Sequence, residues 1–231
     1  MALIPARAGS KRQLRKNFVD LCGKPLVSWT IETALRSEIF SRIVLSSDAP
    51  EARHIADQYG ICFHDRSLEL STDDASIMDL FRSLVDTNIL VEPLTMILQP
   101  TSPLRTESHI RDAYGQYIGY PAETTSMTSV YDHSSDYCKS LRRVGKFVEL
   151  VHQQYEGTQS HNFPQFFSQN GAIYLVSTKR AAYSQTFLYP NCVPFQMDYS
   201  SSIDIDTSDD FNLARILLFE RLRERANNRK E

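Results

Sequence analysis

Apolar positions along this chain recur in two alternating rhythms. An apolar run ends at Pro5, and further on Val27, Ile31, Ala34 and Leu35 fall at helical spacing behind Pro25, whose fixed φ suits a helix start. Together they predict a strand, a loop and a helix. Residues 42–48 predict a short buried strand with a polar end, Pro50 opens a helix that Gly60 closes after Tyr59, and residues 61–63 predict a brief strand. Ile77, Leu80, Phe81, Leu84 and Val85 form an amphipathic stripe, with the helix N-terminus expected at Asp73 and Asp74. Residues 94–98 predict another strand, and Ile110, Ala113, Tyr114, Tyr117 and Ile118 repeat the helical stripe. Strands alternating with helices in this way predict an α/β fold: a mostly parallel sheet with helices on both faces, and ligands at the carboxyl ends of its strands.

From Thr124 the rhythm changes. Residues 126–130 predict a strand, but the stretch from about 132 to 167 is polar, aromatic and poor in helical stripes. It reads as a protruding antiparallel excursion. Aromatics without a local core to bury them point to a partner surface, an arm packing on a second copy across a two-fold; the alternative is a long surface loop. Strands are expected again at 170–176, 193–197 and 202–206. A last helix carries Phe211, Ala214, Leu218 and Leu222, with Thr207 or Ser208 as its N-cap and a charged, fraying tail beyond Arg223. The chain, 1–231, is thus read as one domain with an inserted dimerisation arm.

Composition narrows the classes. With 42% hydrophobic residues the chain can bury a core, and a net charge of −3 argues against a general nucleic-acid binder. Cys22, Cys62, Cys138 and Cys192 are far apart with no C-x-x-C, which removes zinc and redox motifs and leaves free thiols in a reducing cytoplasm as the expectation. No run approaches the ~20 apolar residues of a membrane helix, and the first residues lack the apolar core of a signal peptide.

Against that mildly acidic background, Arg7, Lys11, Arg12, Arg15 and Lys16 cluster after the first strand, with no acidic residue before Asp20. Gly9 is expected to let the backbone turn, and Ser10 and its neighbouring amides to donate to oxygens. Such a loop suits a polyphosphate, although a solvated basic loop or a nucleic-acid patch shares its composition. At residues 98–105 two prolines stiffen a turn presenting Gln99, Thr101 and Ser102. The Gln99 amide suits a nucleobase edge, and a plain turn ahead of a helix capped by Thr106 is the alternative. Asn170-Gly171 by itself signals a tight turn. In Ile203-Asp204-Ile205-Asp206 the two-residue period of an extended strand turns both carboxylates one way. Two such carboxylates repel unless a cation intervenes, and hard oxygens of this kind suit Mg2+; an edge-strand or capping role is the alternative.

These motifs, residues 4–11 with Lys16-Asn17, Gly23-Lys24-Pro25, residues 98–105, 170–174 and 203–207, resemble in order those of the CMP-sialic acid synthetases, the acylneuraminate cytidylyltransferases. The resemblance implies a Rossmann-like, dimeric, Mg2+-dependent nucleotidyltransferase using CTP, with Mn2+ as a substitute ion. It assigns catalysis to Arg7, Lys16, Asp204 and Asp206, and nucleotide contacts to Ala6, Arg7, Gly9, Ser10, Asn17, Arg66, Ser76 and Gln99. Sugar contacts fall on Gln99, Thr101, Ser102, Lys139, Gln165 and Asn170, and metal ligation on Asp204 and Asp206. Two departures stand out: the loop lacks the family's glycine and proline between Lys11 and Lys16, and Ser168 stands where many relatives carry an arginine, removing a bidentate partner for a sugar carboxylate.

The expected reaction is attack of the anomeric hydroxyl of a nine-carbon nonulosonic acid, N-acetylneuraminic acid first, on the α-phosphorus of CTP, with Arg7, Lys11 or Arg12, and Lys16 binding the departing pyrophosphate. Legionaminic acid or a related bacterial sugar is the rival acceptor. Kdo ranks lower, because its cytidylyltransferases do not normally carry the sequence found here at 99–105. A catalytically silent nucleotide-binding module would explain the basic loop but not the Asp204/Asp206 pair.

Overall fold

The structure is a computed structural model and describes residues 1–9, 15–188 and 190–227. Strand β1 (Ala2–Pro5) leads through the small hairpin β2 (Asp20–Leu21) and β3 (Lys24–Pro25) into helix α1 (Leu26–Ser37). Next come β4 (Ile43–Ser47), α2 (Pro50–Tyr59), β5 (Cys62–Asp65), the short α3 (Leu68–Ser71), α4 (Ile77–Asp86), β6 (Leu94–Ile97) and α5 (Glu107–Gly119). The second half holds β7 (Ser126–Asp132), α6 (Ser134–Cys138), β8 (Leu141–Val144), β9 (Phe147–Leu150), β10 (Phe167–Ser177), α7 (Thr178–Ala182), β11 (Cys192–Gln196) and α8 (Ser208–Asn227).

Among the described residues, seven strands form the main sheet, in the order β11-β7-β10-β6-β1-β4-β5. The two-residue period of β1 divides it between two cores, both from residues with no exposed surface: Ala2 and Ile4 pack with α1, α2 and α5, and Leu3 packs with α4 and α7. Helices cover both faces, as the alternation predicts. A third cluster, Leu26, Trp29, Leu104, Ile203, Ile205, Ala214 and Leu218, seats α8 against α1 and the turn after β6.

The sheet is mostly parallel, as expected, with one strand reversed, and several other expectations are corrected. β10 runs antiparallel between β6 and β7, pairing Tyr174 with Ile97 and Phe167 with Asp132, so six strands are parallel and one is reversed. The reason lies in the connection: the chain leaves β7 at Asp132, makes its excursion, and returns beside the same strand end, where His133 N–H donates to the Phe166 carbonyl (2.9 Å). Helix α4 is capped by Ser76 and Asp79 in a reciprocal capping box, not by Asp73 and Asp74. On α5, Tyr114 and Ile118 are exposed, and only Ile110 and Ala113 of the predicted stripe are buried. Residues 203–206 belong to no strand among the described residues; the Ile205 N–H donates to the Thr101 carbonyl (2.8 Å), and both isoleucines anchor in the third cluster. Helix α8 continues past Arg223 to Asn227, capped by Thr207 and Asp210.

The excursion is indeed antiparallel, as the β8–β9 hairpin with Leu141 opposite Leu150. Its aromatics, however, have a local core. Tyr137 stacks on His152 (4.0 Å between centroids) and lies 4.2 Å from Phe166, while Tyr155 lies edge-on to Phe163. What remains uncovered is the hairpin, where Phe147 and Val148 are 68% and 65% exposed. No helix among the described residues is long and apolar enough to cross a membrane.

Beside β11, the 3-10 turn Tyr199–Ser201 supplies a pH-sensitive cap. Partial burial alone would raise the Asp198 carboxyl, but donors from Ser200 Oγ (2.6 Å) and Ser201 N–H (2.8 Å), with Arg221 nearby, hold it down from 3.8 to about 2. A depressed folded pKa contributes stability above the unfolded value and loses it as pH falls through the folded one. Asp198→Asn is therefore expected to flatten the acid limb of a stability-versus-pH curve between about pH 4 and pH 2 and to lower stability at neutral pH, as read from urea midpoints.

Candidate active site

The strand run-offs at the carboxyl end of the sheet enclose a cleft of about 430 Å³, lined by Pro5, Arg7, Gly9, Lys16, Asn17, Arg66, Asp73, Ala75, Ile77, Gln99, Pro100, Thr101 and Asp206. Eight residues singled out in the sequence meet here: Arg7, Gly9, Lys16, Asn17, Arg66, Gln99, Thr101 and Asp206. The loop leaving β1 is pinned at its root. The Ala6 N–H donates to the Ser46 carbonyl, the Ala6 carbonyl accepts from Ser47 Oγ (2.5 Å), and Ala8 N–H donates to Asp48 Oδ1 (2.8 Å). Asn17 Nδ2 donates to the Arg7 carbonyl (3.0 Å), while its buried Oδ1 has no partner among the described residues. Gly9 does not turn as expected. Its φ is not positive, and a Cβ there would make only an ordinary 3.9 Å contact with the Ser71 carbonyl; among the described residues of the loop the left-handed one is Arg15, paired with Glu51. Ser10, Lys11 and Arg12 lie outside the described residues.

The cleft's cations are held by the protein's own oxygens. Arg7 Nη1 meets Asp73 Oδ1 (3.1 Å) and the Thr72 carbonyl (2.8 Å). Lys16, nearly buried, donates to the Ile205 carbonyl and to Asp206 Oδ1 (3.2 Å). Arg66 donates to the Leu70 carbonyl and closes the α3 turn; burial lowers its pKa, against the nearby Asp48. Asp204 is set deeper than Asp206. Its Oδ1 is buried without a hydrogen-bond partner among the described residues, and burial, with the Asp206 charge adding, pushes its carboxyl above the ordinary range.

Opposite, Arg105 fixes the wall. It is buried with no carboxylate partner among the described residues, its Nη1 donating to the carbonyls of Ala172 (2.7 Å) and Gln99 (3.2 Å) and its Nη2 to Thr30 Oγ1 (2.8 Å). Burial pulls its pKa down to about 9, which leaves it charged at neutral pH. The β10 pairing breaks between Gln169 and Tyr174, where Gly171 takes φ +71. Asn170 holds that break: its Oδ1 accepts from Ser129 Oγ (2.5 Å) and Ala172 N–H (3.1 Å), and its Nδ2 donates to Ser202 Oγ (2.8 Å) and Met197 Sδ (3.5 Å). These bonds engage the side chain fully within the fold.

Gln99 stands between two cavities. Beyond it lies a pocket of about 220 Å³ lined by Ile77, Met78, Gln169, Tyr174, Gln185, Thr186, Phe187 and Leu188. Apart from Ile77, Gln169 and Tyr174, no motif pointed to these residues. The pocket is assembled from segments a hundred residues apart, and only tertiary contact reveals it; Asp73, too, is visible only through its pairing with Arg7. Other predicted contacts lie elsewhere. Ser102 is fully buried, the Ser76 hydroxyl is spent on the α4 cap, and Lys139 and Gln165 are exposed on the excursion.

A family model described as cytidylyltransferase matches residues 1–216. The N-acylneuraminate cytidylyltransferase of Escherichia coli O18:K1:H7 is 32% identical over 219 residues, covering 93% of this chain and 51% of that protein. The CMP-N,N'-diacetyllegionaminic acid synthase of Legionella pneumophila is 32% identical over 225 residues, covering 94% and 95%. The chain thus spans about half the length of the first of these relatives and nearly all of the second. A solved CMP:2-keto-3-deoxy-manno-octonic acid synthetase complexed with CTP shares the fold with a TM-score of 0.72 at 17% identity, covering 95% of this chain and 98% of that one.

Gly171→Ala tests the geometry of this wall. A Cβ at φ +71 is strained and would sit 3.3 Å from Gln99 Oε1 and 3.7 Å from Asp204 Oδ2. The expected cost is ~1–2 kcal/mol in urea unfolding, whereas Gly9→Ala, in open backbone, should leave the midpoint near the parent's.

Proposed function

The chain belongs to the cytidylyltransferase family, and from that premise we propose that it activates a nonulosonic acid with CTP. N-acetylneuraminic acid is the first acceptor and a legionaminic-type sugar the second. The observation that carries this reading is the convergence of Arg7, Lys16, Asn17, Arg66, Gln99 and Asp206 on one cleft at the carboxyl end of the sheet. A triphosphate entering there would take Arg7 from Asp73 and Lys16 from Asp206, exchanging carboxylate partners for phosphate ones. In the reaction, the anomeric hydroxyl gives up its proton to solvent and its oxygen bonds to the α-phosphorus as the bond to pyrophosphate breaks, and the two cations stabilise the departing charge.

The pocket beyond Gln99 suits the acceptor: neutral amides and a threonine for hydroxyls, Tyr174 and Phe187 for apolar faces. No lysine or arginine lines it among the described residues, consistent with Ser168 in place of an arginine. We assign the missing cation to Lys139 of a second copy. Its exposure on the arm, beside an uncovered β8–β9 hairpin, supports this reading. The donor set fits Mg2+, since Asp204 Oδ1 is a buried hard oxygen without a partner and Asp206 follows it on the same extended segment. No group of three metal-ligating side chains occurs among the described residues, so phosphates and water would complete the shell. Held there, the ion would neutralise charge on the α-phosphate. Four free cysteines support a cytoplasmic setting.

Pyrophosphate release from CTP with a panel of nonulosonic acids, with ATP and UTP as controls, tests the reaction and its acceptor. Turnover is expected only with CTP, with abolition by EDTA. Arg7→Ala and Lys16→Ala should each cost ~2–4 kcal/mol in kcat/KM with the fold intact. Parental rates in both, at low and saturating CTP, would remove these residues from the site.

Light scattering tests the arm separately. Phe147→Asp with Val148→Asp should convert a dimer to a monomer and raise the KM for the sugar more than that for CTP. A monomeric parent with full turnover would exclude the two-copy pocket.

A further inference from the structure

Helix α8 is apolar on two sides. Ala214 and Leu218 face inward to the third core cluster, while Leu213, Ile216 and Phe219, spaced by three, lie about half a turn away and are 41%, 59% and 59% exposed. Scattered single exposed leucines need no explanation, but a continuous stripe opposite the buried face does. This stripe is symmetric about its centre. Leu213 and Phe219 stand three residues either side of Ile216, and Asp209 and Arg223, both exposed on the same face, stand seven either side.

We propose that this face pairs with its own copy, α8 antiparallel to α8 across a two-fold axis at Ile216. In that arrangement Ile216 meets Ile216, each Leu213 meets the other copy's Phe219, and each Asp209 meets the other's Arg223, so every contact occurs twice, as an isologous interface requires. A parallel pairing would set Asp209 against Asp209 and Arg223 against Arg223. The charges therefore choose the direction, and the apolar stripe supplies the affinity, because rim ion pairs by themselves contribute little. In the isolated chain Arg223 only approaches Glu220 on its own helix (3.6 Å), an exposed contact that a partner's Asp209 can share. This surface is separate from the β8–β9 hairpin, and the pairing stands whether or not the hairpin also associates.

Sedimentation equilibrium of the full chain at high micromolar concentration tests it. Above the mass that the hairpin contact gives at low micromolar concentration, the parent should show a further concentration-dependent doubling that Ile216→Lys abolishes and that Phe147→Asp with Val148→Asp, starting from the monomer, retains. Circular dichroism should be unchanged in Ile216→Lys, since that side chain touches no core. Asp209→Arg or Arg223→Asp alone should weaken the doubling about fivefold, and the two together should restore it. Ile216→Cys should form a homodimer with a short bis-maleimide, above the background from the four native cysteines. If Ile216→Lys leaves the mass curve unchanged, or the double charge reversal fails to restore it, the antiparallel pairing is wrong.

Discussion

A guanidinium buried without a carboxylate must be surrounded by neutral acceptors, and Arg105 imposes that requirement on the middle of this protein. Its donors need the Gln99 and Ala172 carbonyls and the Thr30 hydroxyl turned inward together. The turn after β6, the break in β10 and helix α1 therefore have one mutual arrangement. The Gln99 side chain is aimed by the carbonyl behind it, and the Gly171 backbone is brought close enough for Gln99 Oε1 and Asp204 Oδ2 to pack against it. Asn170 and Ser129 complete the arrangement by satisfying the polar groups that the broken ladder leaves open.

On the opposite side, the cleft keeps its cations ready by pairing them. Asp73 and Asp206 hold Arg7 and Lys16 facing the space where the cleft opens, so no unpaired cation must be maintained at these two positions in the absence of a ligand. An anion that binds there exchanges partners at two positions whose cations are already paired within the protein, which limits the further desolvation of those cations. The deeper carboxylate, Asp204, is the exception. Burial disfavours its charge and its Oδ1 has no partner among the described residues, so an added cation would favour its charged form outright.

The reversed strand connects these local facts to the shape of the whole. Because β10 returns beside β7, the excursion at 133–166 emerges from the carboxyl end of the sheet, the same end as the cleft. Its aromatics stack on one another, making the arm a small body with its own core, while the hairpin tip stays apolar and uncovered. Helix α8 presents a second uncovered stripe elsewhere on the surface. The molecule thus carries two separate apolar surfaces beyond what its own core requires.

The sequence by itself determined whatever depends on neighbours along the chain. Pro50 and Gly60 bound α2 to the residue, Thr207 caps α8, the apolar stripe of α4 is buried through Leu80, Phe81 and Leu84, and the alternation at 203–206 separates isoleucines from aspartates. These features follow from backbone periods and cap chemistry, which a linear text displays directly. The cleft was legible for the same reason: its residues sit where strands end, and in a parallel sheet those ends share one side. Only the tertiary structure decided the direction of β10, the unpaired state of 203–206, the left-handed turn at Gly171 where Gly9 has none, the engagement of Asn170 within the fold, and the pocket beyond Gln99. Each depends on which distant group arrives alongside. A two-residue period looks the same with or without a partner strand, and a hydrogen-bonding side chain carries no mark of whether its partner will be a ligand or the protein itself.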